Sequence, residues 1–370
     1  MTLFEGITSR SVETSRLVVN VLERAGDDAG TPPDRTVVLV HGNGSSSLFW
    51  QEVMQDLPHD LRVVAVDLRG YGGTEHAPID ATRGVRDFSD DLFETLQALG
   101  IPTAHLVGWS MGGAVILQYA LDHPVLSLTL ESPVSPYGFG GTRRDGSRLT
   151  DDDAGTGGGV ANPDYVARLI AHDATDEAPT SPRSVFRSGY VAPGYTTAHE
   201  DVWVESMLST STATGNYPGD SVPSDNWPGF AAGTVGVLNT MAPQYFNLSG
   251  IVDLEPKPPI LWIYGTEDAI ISDTSFYDYN HLGALGIVPD WPGADVAPAQ
   301  EMVSQTRDVL GEYSARGGEV TELALEGVGH TAHLERPAEF RHALLIVIGY
   351  VGHPVDPAPP TETIILRSAD

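Results

Sequence analysis

The segment Gly108-Trp109-Ser110-Met111-Gly112 is the stretch of this 370-residue chain whose residue types and spacing best suit chemistry. An apolar, strand-like run through Leu106 and Val107 leads into it, and a helical pattern over 111–121 follows at once. The serine therefore falls on a sharp strand-to-helix turn, where side chains in place of the flanking glycines would collide with neighbouring backbone. A serine held this way lifts its hydroxyl above a sheet, and the helix that follows offers free N–H groups to developing negative charge. The chemistry it suits is acyl transfer through a covalent intermediate. A hydroxyl is a poor nucleophile until a base takes its proton, and a third group must hold that base in the correct tautomer. Twelve histidines are available. His330 and His333 share a loop, 327–337, that precedes a final helical pattern, and His41 follows another strand-like run.

These residues need a scaffold, and the chain alternates short β-branched runs with helical stretches, the pattern of a mostly parallel sheet covered by helices on both faces. Buried strands are expected at 37–40, 63–66, 106–107, 126–130 and 260–263, with an antiparallel edge at 17–22 and a last strand at 319–325. Apolar residues at helical spacing mark helices over 48–57, 88–99, 111–121, 301–313 and 337–351. From 135 to 258 the texture changes to Gly, Pro, Asp, Ser and aromatic residues, including Asp151-Asp152-Asp153 and Gly157-Gly158-Gly159. A structureless loop of that length is implausible in a compact domain, so the expectation is an inserted cap of short helices and ordered loops. The core would then comprise 1–134 and 259–370, with a smaller insertion at about 272–299. The Pro-rich tail after His353 reads as an extended appendage, and no internal repeat is found.

Composition narrows the partners. Fifty acidic residues face twenty basic ones, of which only Lys257 is a lysine, for a formal charge of −30. Such a surface repels phosphate backbones and anionic lipid heads, so a small molecule is expected as partner rather than nucleic acid or membrane. The acidity also serves solubility, and the scarcity of lysine is consistent with genomic base composition. With no cysteine, disulfide scaffolds, thiolate zinc sites, iron–sulfur clusters and cysteine nucleophiles are out. No metal motif occurs and no cofactor is implied. Glu5 and Glu13 fall where a secretory signal would be apolar or basic, and no run of about eighteen apolar residues occurs, so a soluble cytoplasmic protein is expected.

In these motifs, and over nearly all of the sheet-forming sequence, the chain resembles the α/β-hydrolase superfamily; segment 135–258 is unmatched. His41-Gly42-Asn43-Gly44 is similar to the family's oxyanion-hole loop, and Asp67-Leu68-Arg69-Gly70-Tyr71-Gly72-Gly73-Thr74 to its Asp-x-Arg-Gly-x-Gly turn. The resemblance implies an oxyanion hole from the backbone N–H groups of Asn43 and Met111, with His41 structural. It implies His330, preceded by Gly327 and Gly329, as general base, with His333 as the competitor or a structural histidine of the closing helix. It implies Asp268, after the strand 260–263, as the orienting acid, in the chain order Ser, Asp, His. Glu131 is the alternate acid, since some superfamily members, certain lactone hydrolases among them, carry the acid at that strand end.

The function expected from the resemblance is hydrolysis of a carboxylic ester or lactone of a small apolar or aromatic molecule through a serine acyl-enzyme. A serine at the elbow argues against haloalkane dehalogenases and most epoxide hydrolases, which use aspartate there. The alternatives are carbon–carbon bond hydrolysis, perhydrolysis, acyl transfer, aminopeptidase activity and a ligand-binding receptor on a hydrolase scaffold. A carbon–carbon hydrolase would want a cation for the substrate carboxylate, for which Arg143, Arg144 and Arg187 are available. An aminopeptidase would want carboxylates, for which Asp151 to Asp153 are the candidates. Trp109 is the adjacent pocket candidate. Tyr137, Phe139, Trp203, Tyr217, Trp227, Phe230 and Trp291 either line a large apolar pocket or fill the insertion's own core. Thr363-Ile364-Ile365-Leu366 suits a sheet edge, in its own domain or in a homo-oligomer.

Overall fold

The computed structural model describes residues 1–24 and 30–350, and the backbone of 364–366. Eleven strands occur among them: β1 (Ile7–Glu13), β2 (Val18–Arg24), β3 (Thr36–Val40), β4 (Arg62–Val66), β5 (His105–Trp109), β6 (Ser127–Glu131), β7 (Ser221–Pro223), β8 (Phe230–Ala232), β9 (Ile260–Gly265), β10 (Val320–Leu325) and β11 (Ile364–Leu366). The helices are α1 (Gln51–Asp56), α2 (Arg86–Ala98), α3 (Met111–Asp122), α4 (Pro163–Ile170), α5 (Pro182–Val185), α6 (Glu200–Leu208), α7 (Tyr279–Ala284), α8 (Met302–Ala315), α9 (Ala332–Glu335) and α10 (Pro337–Val347).

Nine strands form one sheet in the order β1-β2-β4-β3-β5-β6-β9-β10-β11, and β7 and β8 form a separate hairpin. The six central strands from β4 to β10 run parallel. Antiparallel strands close both sides. The central strands are continuously apolar because both faces are covered. In β3, Val38 and Val40 join the core beneath α2, α3 and α8, while Val37 and Leu39 join the core against α1 and α10.

The strand expected at 17–22 is present as β2 but is not the outermost. β1 lies outside it, and among its residues only Ile7 and Val12 are buried, so no apolar alternation marked it in the sequence. Helix 48–57 resolves into a tight turn, Ser47–Trp50, followed by α1. Residues 364–366 pair antiparallel with the edge strand β10 of the same chain. Thr363 and the Pro-rich stretch lie outside the described residues, as does 351, the last residue of the expected closing helix. Among the described residues no helix is long and apolar enough to cross a membrane.

Two tethers fix the loops at the carboxyl ends of β3 and β4. Asp67 accepts hydrogen bonds from Ser47 N–H at 2.7 Å and from Gly73 N–H and Asn20 Nδ2 at 2.8 Å. Arg69 grips Asp91 of α2 through Nε at 2.7 Å and Nη2 at 2.8 Å. Farther along, Asp278 caps α7, accepting from Asn280 N–H at 3.0 Å and from Gln300 N–H at 2.8 Å. Burial outweighs these two donors and pushes its carboxyl up to about 6. A folded-state value above the unfolded one contributes stability that is complete below the unfolded value, near 4, and lost as pH rises through about 6. The unfolding free energy of the wild type should therefore gain on that of Asp278→Asn by on the order of 2 kcal/mol between pH 7.5 and 4.5. Urea titrations across that range check it, and a gap independent of pH would contradict the assignment.

Candidate active site

The carboxyl ends of β5, β6 and β9 lie side by side, with Trp109 opposite Glu131 and Glu131 opposite Ile263. Ser110 follows β5 with φ 56° and ψ −120°, in the left-handed region that non-glycine residues avoid. Its N–H donates to Glu131 O at 2.9 Å, and its carbonyl accepts from Gly113 N–H at 2.9 Å. The glycines at 108 and 112 are obligatory. A Cβ on Gly108 would sit 2.4 Å from Gly112 O, and one on Gly112 would sit 2.3 Å from Val40 O. Met111 is the first residue of α3, so its N–H has no acceptor within the helix.

The structure brings Asp268 and His330 together. Asp268 Oδ2 lies 2.7 Å from His330 Nδ1, and both residues are buried. Its other oxygen accepts from Ile270 N–H at 2.7 Å and Ile271 N–H at 2.9 Å. Held by three donors, the carboxylate cannot swing away cheaply. Because Nδ1 donates to it, the Nε2 lone pair of neutral His330 is left free. Trp109 Nε1–H holds the His330 carbonyl at 2.8 Å from below.

Glu131 does not meet His330. Its carboxylate takes the ring Nδ1 of His333 at 2.8 and 2.9 Å and the His333 backbone N–H at 2.9 Å, and both residues are sealed from solvent. His333 lies within α9 and packs against Trp50, with ring centroids 4.4 Å apart. Among the described residues two carboxylate–histidine pairs are buried, besides the part-exposed pair of His199 with Glu52, and of the two buried histidines only His330 lines the cavity described below.

Asn43 and Met111 line the same cavity as Ser110 and His330. Tyr71 OH donates to Asn43 Oδ1 at 2.7 Å, and Tyr190 OH to Asn43 O at 3.0 Å and Gly44 O at 3.1 Å. The loop is therefore pinned from two sides. His41 is fully buried, and burial holds its ring below the ordinary histidine range. The neutral ring accepts from Leu68 N–H through Nε2 at 2.9 Å and donates through Nδ1 to Gly42 O at 2.7 Å, a structural use of both nitrogens.

The cavity is about 520 Å³. Much of its wall comes from 135–258 and 272–299, but from only two of the aromatic residues that composition suggested. Phe139 and Tyr217 line it, and Trp109, Tyr137, Trp203, Trp227, Phe230 and Trp291 do not. Trp109, the adjacent pocket candidate, is corrected to a buried support because it ends a strand pointing into the core with Phe49, 5.0 Å away. Trp203 stacks on the same ring at 5.2 Å. Trp227 and Trp291 spend their N–H groups on Pro289 O and Ala297 O. Asp151 and Asp152 line a separate surface hollow. Arg144 pairs with Asp308, and Arg187 with Glu200 and Asp176, outside the cavity.

Two residues that the sequence did not single out tie the histidine loop to 135–258. Glu335 accepts from Gly329 N–H and from Ala192 N–H, both at 2.9 Å, and burial holds its carboxyl above the usual range. Tyr190 O accepts from Thr331 OH at 3.0 Å. Neither carries a motif; only their position in space reveals them.

A family model described as the alpha/beta hydrolase fold matches residues 35–293. A fluoroacetate dehalogenase from Burkholderia sp is 34% identical over 140 residues, 36% of this chain and 44% of that protein. The chain thus spans less than half the length of that curated relative. An esterase from Rhodococcus sp. ECU1013 superposes with a TM-score of 0.53 at 18% identity, covering 93% of this chain and 99% of that one. A 2-hydroxy-6-oxo-6-phenylhexa-2,4-dienoate hydrolase from Rhodococcus sp. strain RHA1 gives 0.54 at 19%, with the same two coverages. Likeness at this identity establishes the shared fold.

The two buried carboxylate–histidine pairs make opposite forecasts for mutation. Asp268→Asn should slow modification of Ser110 by a fluorophosphonate on the order of 10³–10⁴-fold, through loss of the correct tautomer. Glu131→Gln should leave that rate within about tenfold while lowering the melting temperature, since it weakens a buried pair. Rates from intact-protein mass decide between them, and the reverse ranking would reassign the orienting acid.

Proposed function

The chain belongs to the alpha/beta hydrolase fold family, and on that premise we propose that it is a serine hydrolase cleaving a neutral carboxylic ester or lactone through an acyl-enzyme on Ser110. The observation that carries this reading is the 2.7 Å bond between Asp268 and Nδ1 of His330, a histidine that shares the wall of one cavity with Ser110. In this scheme His330 Nε2 takes the Ser110 proton as Oγ attacks the acyl carbon. The oxyanion is met by the N–H groups of Asn43 and Met111. Each such donor typically contributes about 10²–10³ in rate. Collapse breaks the bond to the leaving oxygen, which receives the proton from Nε2. Water then gives a proton to Nε2 and attacks the acyl carbon, and collapse returns the proton to Ser110 and frees the carboxylic acid. In a lactone the leaving alcohol stays attached to the product.

Segment 135–258 acts as a cap in this reading, supplying walls to the cavity. A charge-poor cavity favours an ester or lactone over the dienoate named for one structural neighbour. Among the described residues, none that lines the cavity is an Arg, Lys, His, Asp or Glu apart from His330. A carboxylate buried there would lack a counter-ion, at a cost of several kcal/mol.

Intact-protein mass after brief exposure to a small fluorophosphonate tests the proposal without knowledge of the substrate. One adduct is expected on the wild type and none on Ser110→Ala, with ester turnover in that variant reduced on the order of 10⁶-fold. An unmodified wild type, or full ester turnover by Ser110→Ala, would overturn it.

A further inference from the structure

Among the described residues five tyrosines line the Ser110 cavity. Tyr190 is bound to the Asn43 loop and Tyr279 packs its ring on Phe230, and the other three arrive from separate parts of the chain: Tyr165 from α4, Tyr217 from the stretch before β7, and Tyr277 from the stretch before α7. Buried tyrosine hydroxyls ordinarily find a partner. Several here do: Tyr190 binds Asn43 and Gly44, Tyr195 binds Leu334 O, and Tyr313 binds Pro258 O. Among the described residues the hydroxyls of Tyr165, Tyr217 and Tyr277 have no hydrogen-bond partner, with Tyr217 buried and Tyr165 half-buried in the cavity wall.

The three are neighbours. The Tyr165 and Tyr217 rings meet edge to face with centroids 6.3 Å apart. A Cβ on Gly44 would sit 3.7 Å from Tyr165 Oη, which places that hydroxyl beside the Asn43 loop. Tyr277 exposes 39% of its surface, but its hydroxyl end points inward, where a Cβ on Gly189 would sit 2.4 Å from Oη. Burial raises all three phenols, Tyr277 to about 12, so they remain protonated donors at physiological pH. Around them the wall is mostly apolar, with Val160, Val185, Leu238, Ile270 and Ile287, and carries Asn162, Thr180 and Ser188 as further uncharged polar groups. A few convergent donors on an apolar wall are how a pocket fixes a ligand's orientation.

We propose that Tyr165, Tyr217 and Tyr277 form a subsite for uncharged oxygen acceptors, so that the preferred substrate is a neutral ester or lactone carrying a second carbonyl or ether oxygen away from the scissile bond. The inference rests on the hydrolase reading above and adds the class of substrate to it. Charge disfavours the anionic version: the chain carries −30, and among the described residues no guanidinium or ammonium lines the cavity to neutralise a carboxylate. An all-hydrocarbon acyl group would strip water from three donors and offer them nothing, which is the situation in which polar sites discriminate most strongly.

The test uses three 4-nitrophenyl esters of matched acyl length: an alkyl chain, the same chain with a distal ketone, and the same chain ending in a carboxylate. The kcat/KM of the wild type should rank the ketone first and the carboxylate last. Each of Tyr165→Phe, Tyr217→Phe and Tyr277→Phe, its folding checked by thermal melting, should lower the ketone-to-alkyl ratio about three- to tenfold for each phenol that the ketone engages. At least one variant must do so. Ratios unchanged in all three variants, or a wild type that prefers the carboxylate or is indifferent to the ketone, would overturn the subsite. Failure of the hydrolase reading itself is seen separately, as absence of the fluorophosphonate adduct on wild-type Ser110.

Discussion

A serine at φ 56° persists only where its surroundings over-determine it, and that strain organises this molecule. The turn is clamped by Glu131 O on its N–H and by Gly113 and Val134 N–H groups on its carbonyl. Bare backbone at Gly108 and Gly112 lets α3 approach β3 and β5 closely enough for those bonds to form. Sheet order follows the same need. β5 lies between β3, which leads into the Asn43 loop, and β6, whose last residue holds Ser110 in place. The next strand, β9, leads into the Asp268 turn. One strand farther, β10 leads into the loop that carries His330.

Glu131 shows how such a scaffold uses one residue twice. Its backbone carbonyl secures the elbow, and its carboxylate secures the ring and N–H of His333. A carboxylate at this strand end has the right chemistry to orient a histidine, and it does orient one. Which histidine it reaches is decided by the course of the loop: residue 330 faces the cavity, and residue 333, within the short helix α9, turns into a nest of Trp50, Phe49 and Phe340.

How far the sequence could be read follows from this. The elbow was legible because strand, glycine-flanked serine and helix are contiguous, and Asp268 and His330 because each sits in a loop directly after a strand. The choice between Asp268 and Glu131 was not, since both follow strands and differ only in loop trajectory. Trp109 was misplaced for an avoidable reason: alternation along β5 puts residues 107 and 109 on one face, and Val107 is plainly core. β1 hid because an edge strand with solvent on most of its side chains has no apolar period to detect. Of the tyrosine wall only Tyr217 could be picked out, as one aromatic residue among several, since three segments with no shared periodicity contribute to it.

The Glu335 tether carries an evolutionary consequence. One oxygen of that carboxylate holds the loop of His330, and the other holds Ala192, deep in the long connection between β6 and β9. Exchanging that connection for another of different length would strip a donor from a buried acid and slacken the loop bearing the histidine. Divergence is therefore unevenly permitted along it: the stretches that only line the cavity are free to drift, while residues 190–192 are an anchorage that a transplanted segment would have to bring with it or rebuild.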